Sequence, residues 1–218
     1  MMKSLLNMAA LSAKKRDTEI KAYYERKVAE DKNKMSVMNA IRCKIISRAF
    51  AVTNWIDLFI RNEYREILIN SLKYCQAEKD LELYGWCIMT SHVHLIIGSS
   101  GNALSNIMRD LKRHTSEGLH KAIANNKTES RREWMLWMTE RAAKKTSNVA
   151  KFQLWQPENH PIELSTQKTA WQKLDYIHYN PIEAGFVKKS SDWLYSSAVD
   201  YNGGKGLLDI MLLDPMII

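Results

Sequence analysis

The chain has 218 residues, 45% of them hydrophobic, which excludes a disordered composition and suits one globular domain with an appendage. Its 32 Lys and Arg outnumber 24 Asp and Glu, and the formal net charge of +8 favours a polyanionic partner, either nucleic acid or an acidic membrane surface. No apolar stretch approaches the ~20 residues of a membrane span, and Cys43, Cys75 and Cys87 lack CxxC spacing, which argues against a disulfide framework and for a reducing compartment.

Residues 1–40 are rich in Ala, Lys and Glu, contain no Gly or Pro, and predict a helical N-terminal arm. Leu5 to Ala13 faintly resembles a signal peptide, but Asn7 interrupts it and Lys14, Lys15 and Arg16 follow, so an amphipathic helix and a cytoplasmic protein are expected. The main domain is expected over 41–202, with 203–218 as a tail. Ile45, Ile46, Phe50 and Val52 mark a first strand within Lys44–Thr53. Tyr64, Leu68, Leu72 and Cys75 recur at helical spacing and predict an amphipathic helix over Glu63–Lys79.

Tyr84 to Gly98 reads as a single buried strand, closed by Gly98-Ser99-Ser100-Gly101. A second helix follows, with Leu104, Ile107, Met108, Leu111, Thr115 and Leu119 on one face and Arg109, Lys112 and Arg113 on the other. Asn125 to Lys151 is polar and basic, including Lys144 and Lys145, and is expected to be a loop or a helical insert. Phe152–Trp155 and Ile162–Leu164 predict two short strands. Ser165 or Thr166 then caps a third helix running to about Tyr179 and stopped by Pro181. The sequence after Trp193 looks irregular. This order predicts an α+β fold, an antiparallel sheet with helices packed on one face.

The chemistry-bearing residues fall in two places. His92 and His94 flank Val93 in a strand, so both imidazoles project to one face and can share a metal ion. With Tyr176 at zero on a helical wheel, Ile177, Leu174, His178 and Trp171 fall at about 100° to about 220°, an arc expected to be buried. Asn180 lies about 40° from Tyr176, so the two side chains can reach one site. A phenol has a pKa near ~10 and is a poor nucleophile at neutral pH. Attack on a phosphodiester therefore calls for a divalent cation to spread charge on the phosphate oxygens. Two histidine nitrogens and an asparagine oxygen suit an open Mg²⁺ or Mn²⁺ site completed by phosphate and water. Asn180 fits equally well as a helix cap ahead of Pro181.

These residues resemble a known family. His-hydrophobic-His on a strand, followed by Tyr176-Ile-His-x-Asn-Pro-Ile-x-Ala-Gly185, is similar to the single-tyrosine HUH transposases, closest to the branch associated with repetitive extragenic palindromes. Tyr84-Gly-Trp-Cys-Ile-Met-Thr-Ser-His-Val-His-Leu-Ile96, Leu154-Trp-Gln-Pro157 and Asp192-Trp-Leu-Tyr-Ser-Ser197 also match, so the resemblance spans roughly Lys44 to Tyr201. It implies a ferredoxin/RRM-like HUH fold and cleavage of single-stranded DNA near hairpin elements through a 5′-phosphotyrosine intermediate. By position, Tyr176 is the implied nucleophile and His92, His94 and Asn180 the implied metal ligands. The chain departs from the family at Thr90-Ser91, where many relatives carry Pro-(Asn/Glu), and over Pro157–Pro161.

The basic side chains Arg109, Lys112, Arg113, Lys144 and Lys145 suit a DNA-backbone groove, and Trp134, Trp137 and Trp155 could stack on bases, Trp155 equally well in the core. His114, His120, His160 and His178 are read as structural or solvent-facing. Two other functions fit parts of the pattern: a non-catalytic hairpin-binding protein, and a zinc hydrolase using His92, His94 and Asp175. A homodimer is compatible with the family, in which Tyr176 would serve its own site or a partner's.

Overall fold

A computed structural model describes residues 45–145, 151–157 and 161–213, together with Glu25 and Ala29. Those two isolated residues are helical, and the rest of the expected N-terminal arm lies outside the described residues. Strand β1 (Ile46–Ala51) pairs antiparallel with a strand at His92–Ser99, which pairs antiparallel on its other side with Leu81–Ile88. We term Leu81–Ile88 β2 and His92–Ser99 β3. The two-residue β4 (Ile162–Glu163) extends the far side of β1, giving the order β2-β3-β1-β4. The antiparallel α+β class read from the sequence is the observed one.

The run 84–98, expected as one strand, is instead part of a hairpin. The chain reverses at Thr90-Ser91, where the Met89 N–H donates to the His92 carbonyl at 2.8 Å. The turn contains no glycine, and the apolar residues on either side disguise it as continuous strand.

Alternation along β3 sends Val93, Leu95 and Ile97 to one side and Ile96 to the other. The first side forms the larger core with helices α1 (Asn62–Glu78), α2 (Leu104–Asn125) and α3 (Arg132–Ala143), through Leu68, Leu72, Ile107, Leu111 and Met135. Helix α4 (Gln167–Glu183) lies on the opposite side, where Ala170, Leu174 and Ile177 pack on Tyr84, Cys87 and Ile96. Helices on one face therefore describe α1 to α3 but not α4. The signal was available: β2 and β3 are apolar almost throughout, as strands covered on both faces are.

Two features seat α4. A register shift between Leu83 and Gly85 bulges β2 at Tyr84. At Gly85 an added Cβ would fall 2.6 Å from Leu174 Cδ1 and 3.3 Å from Ile177 Cδ1, so glycine permits the close approach. Thr166 caps the helix as expected: its hydroxyl accepts from the Thr169 N–H at 3.1 Å, and Thr169 reciprocates to the Thr166 N–H. Such a cap contributes about 1 kcal/mol.

Pro181 does not stop α4, which continues to Glu183. Proline removes one donor near the end, while the Asn180 carbonyl still accepts from Ala184 at 2.9 Å. Gly185, at φ 74°, makes the actual exit.

Of the two expectations for 125–151, a loop or a helical insert, the helical one is met over α3. Its buried stripe is only Met135, Thr139 and Ala143, spaced by four, too narrow and too weakly apolar to stand out among its charges. Of the predicted strand Phe152–Trp155, only Trp155 bridges to Val52. The stretch after Trp193 is less irregular than expected. Ser196 bridges to Cys87, a short helix α5 spans Ala198–Tyr201, Leu208 is buried, and the Met211 N–H donates to the Leu83 carbonyl.

Candidate active site

His92 and His94 occupy the α4 side of β3, directly across from Ala51 and Ala49 of β1. The two rings stand edge to face with centroids 4.8 Å apart. His94 is 5% exposed, and neither ring nitrogen has a hydrogen-bond partner. Burial, reinforced by His92 and Lys173 nearby, holds its pKa down to about 3, so the ring is neutral and able to bind a metal. Burial also lowers His92, partly offset by Asp57. Its Nδ1 lies 3.2 Å from the Ser91 hydroxyl, which orients the ring and leaves Nε2 for a ligand.

Helix α4 brings the second group of residues over this pair. The Tyr176 ring, 48% exposed, stands edge to face with His94 at 5.6 Å between centroids. Of the predicted arc, Leu174, Ile177 and His178 are buried and Trp171 is partly buried, while Tyr176 lies on the exposed side. Asn180 is inside the helix and not a cap. Its Nδ2 donates to the Tyr176 carbonyl at 2.6 Å, and its side chain lies close enough to His94 to favour the protonated ring.

Lys173, not singled out from the sequence, reaches over Tyr176 with Nζ 4.3 Å from the ring centroid. Burial lowers its pKa. It lies one turn before Tyr176, so the same wheel that paired Tyr176 with Asn180 could have found it.

Two imidazoles and an amide form a mixed nitrogen and oxygen donor set that a divalent cation could use. A buried imidazole with both nitrogens unpartnered, a second imidazole oriented through Nδ1, and an amide oxygen nearby are the groups such an ion would engage. Among the described residues no three His, Cys, Asp or Glu side chains converge on a metal position. The zinc-hydrolase set of His92, His94 and Asp175 is therefore not assembled.

The other residues singled out from the sequence are dispersed. Arg109 is exposed and pairs with Asp110, and Arg113 lines a cleft with Tyr74 and Lys79 beside α1. Lys112 instead reaches β1, with Nζ 5.9 Å from the Phe50 ring centroid, and burial together with Arg48 lowers its pKa to about 8. Lys144 and Lys145 follow the end of α3, and Lys145 lines a groove with Trp55 and Arg141. Trp155 is a core residue, its Nε1 donating to Thr115 at 3.1 Å, whereas Trp134 and Trp137 are exposed. His178 is buried and bonded to Ser197 at 2.8 Å, a structural role.

Comparison with known proteins bears on this geometry. A family model described as "Transposase IS200 like" matches residues 49–157, half of the chain, and the chain belongs to that family. The matched segment includes His92 and His94 and ends before Tyr176. The fold is similar to a solved REP-associated tyrosine transposase bound to a REP hairpin, at TM-score 0.53 and 16% identity, covering 81% of this chain and 94% of that one. A candidate transposase of Deinococcus radiodurans R1 is more distant, at TM-score 0.38 and 17% identity over 61% of this chain and 87% of that one. No curated protein matches the chain significantly. Among the described residues no helix is long and apolar enough to cross a membrane.

Proposed function

We propose that this chain is a metal-dependent enzyme that nicks single-stranded DNA near hairpin elements and transfers the strand through a 5′-phosphotyrosine link. The observation that carries the reading is the placement of the Tyr176 ring against His94, with both His94 nitrogens unpartnered. Membership of a transposase family and a fold shared with a hairpin-bound relative support it.

His92, His94 and Asn180 would hold Mg²⁺ or Mn²⁺, which supplies Lewis-acid polarisation of the scissile phosphate. The Tyr176 hydroxyl oxygen attacks phosphorus and the bond to the 3′ oxygen breaks. The phenol's proton is lost and the departing 3′ oxygen gains one, so no net charge is created. Lys173, above the Tyr176 ring, favours the developing phenolate and the phosphate. One phosphoester replaces another, so attack of a 3′-hydroxyl on the tyrosine link reverses the step and joins a new end. Tyr176 approaching His94 within one chain, at 5.6 Å between ring centroids, supports attack at the chain's own site.

Incubation of the protein with labelled single-stranded oligonucleotides containing palindromes tests this on denaturing gels. A protein–DNA adduct should form with Mg²⁺ or Mn²⁺, vanish with chelator, and be absent in Tyr176→Phe. A non-catalytic hairpin binder would bind the same DNA without metal and form no adduct under any condition.

A further inference from the structure

Trp55 is placed at a cost. It ends the Thr53–Trp55 turn after β1, and both Asn54 and Trp55 have φ of 55°, a left-handed conformation that asparagine visits readily but tryptophan rarely. Two such residues in succession persist only where neighbours over-determine them. Here Thr53 is pinned beneath: its N–H donates to the Leu154 carbonyl at 2.7 Å and its hydroxyl to the Gln153 carbonyl at 2.8 Å. Buried Ile56, Leu58 and Phe59 anchor the far side. The strain does not bury the indole, which is 59% exposed with its centroid 5.5 Å from that of His92.

Trp55 also borders an open groove of about 440 Å³, lined by Asn54, Met138, Arg141, Lys145 and Gln153 among others. None of the lining side chains is acidic. Arg141 reaches over the half-exposed Trp137 ring at 5.0 Å. An exposed aromatic face beside two cations is how proteins hold unpaired bases: stacking for the base, charge for the backbone. The groove and the histidine pair meet at Trp55.

We infer that this groove receives an unpaired nucleotide flanking the scissile phosphate, its base stacked on Trp55 and its backbone held by Arg141 and Lys145. This rests on the proposed single-strand nuclease activity for what lies on the His92 side, but the groove can be tested without chemistry. Asn54 borders the same space and would face the base edge, so sequence preference at this nucleotide is expected to come from it.

The test uses the full chain carrying Tyr176→Phe, so that no DNA is cut, and a fluorescent oligo-dT of about 20 nucleotides as the probe. Trp55→Ala should weaken binding about tenfold and Trp55→Phe by no more than about threefold, because base stacking tolerates any aromatic ring. Duplex affinity should change little. Trp55→Gly relieves the left-handed strain and should melt at or above the parent temperature while binding as weakly as Trp55→Ala. A purely structural tryptophan would give the reverse, lower stability with unchanged affinity for single strands, and that result overturns the inference. So does equal loss on single-stranded and duplex DNA. Adduct formation by a chain in which Trp55→Ala binds normally would remove the groove and keep the nuclease; Trp55-dependent binding without adducts from the wild type would do the opposite.

Discussion

The Tyr176 ring meets the His94 ring edge to face at 5.6 Å, the one from a helix and the other from a strand on the sheet face that helix covers. Everything proposed for the site depends on how firmly each side of that contact is held.

On the strand side, Ser91 fixes the His92 ring through a 3.2 Å contact to Nδ1. Ser91→Ala should raise the Mn²⁺ concentration needed for half-maximal adduct formation by about tenfold, with the rate at saturating metal little changed. Metal titration of adduct yield measures this. An unchanged midpoint would mean that His92 is oriented by other contacts.

On the helix side, Gly85 sets the height of α4 above the sheet. Gly85→Val would press on Leu174 and Ile177, cost about 2 kcal/mol in overpacking, and lift Tyr176 from the histidines. Denaturant unfolding should show the stability loss, and adduct formation should fall by at least about tenfold while oligonucleotide binding persists. Gly85→Ala should be milder, since the nearest atom is the mobile end of a leucine.

Much of this arrangement was legible in the sequence. His-x-His spacing put two imidazoles on one sheet face, and the helical wheel put Tyr176 and Asn180 on one side with Leu174, Ile177 and His178 buried. Residue type offered Ser165 or Thr166 as cap, and Thr166 is the one used. Other features were hidden for identifiable reasons. The hairpin at Thr90-Ser91 lacks a turn glycine and is flanked by apolar residues. Pro181 sits where a helix can lose one hydrogen bond and continue. Trp55 carries no sequence mark at all, because its exposure comes from backbone angles that propensity does not favour.

Lys173 should contribute to the reaction more than to binding. Lys173→Met is expected to slow adduct formation by about 100-fold, with Lys173→Arg retaining a substantial part. Single-turnover rates beside oligonucleotide affinities separate the two effects. Loss of affinity with an unchanged rate would reassign the lysine to DNA contact alone.

Away from the site, Glu129 ties the 3-10 segment ahead of α1 to the start of α3. Its buried carboxylate accepts from Arg61 Nε at 2.7 Å and from Arg131 Nε at 3.1 Å. Burial opposes its ionisation, but the arginines outweigh that and hold the folded pKa below the ordinary 4.5. A depressed carboxyl stabilises fully above its unfolded value and loses that contribution as pH falls toward the folded one. Glu129→Gln should cost about 2 kcal/mol at neutral pH, moderated by the partial exposure of both arginines. Unfolding from about pH 5 down to about pH 3 should show a shallower stability loss in Glu129→Gln than in the wild type.

The most direct test of the central claim is peptide mapping of the residue that carries DNA after reaction with single-stranded oligonucleotides and Mn²⁺. A nucleotide 5′-phosphate on Tyr176 is the expected result, with its yield abolished in His94→Ala. A phosphate on Tyr179 or any other residue, or an unaltered adduct yield in His94→Ala, would contradict the account.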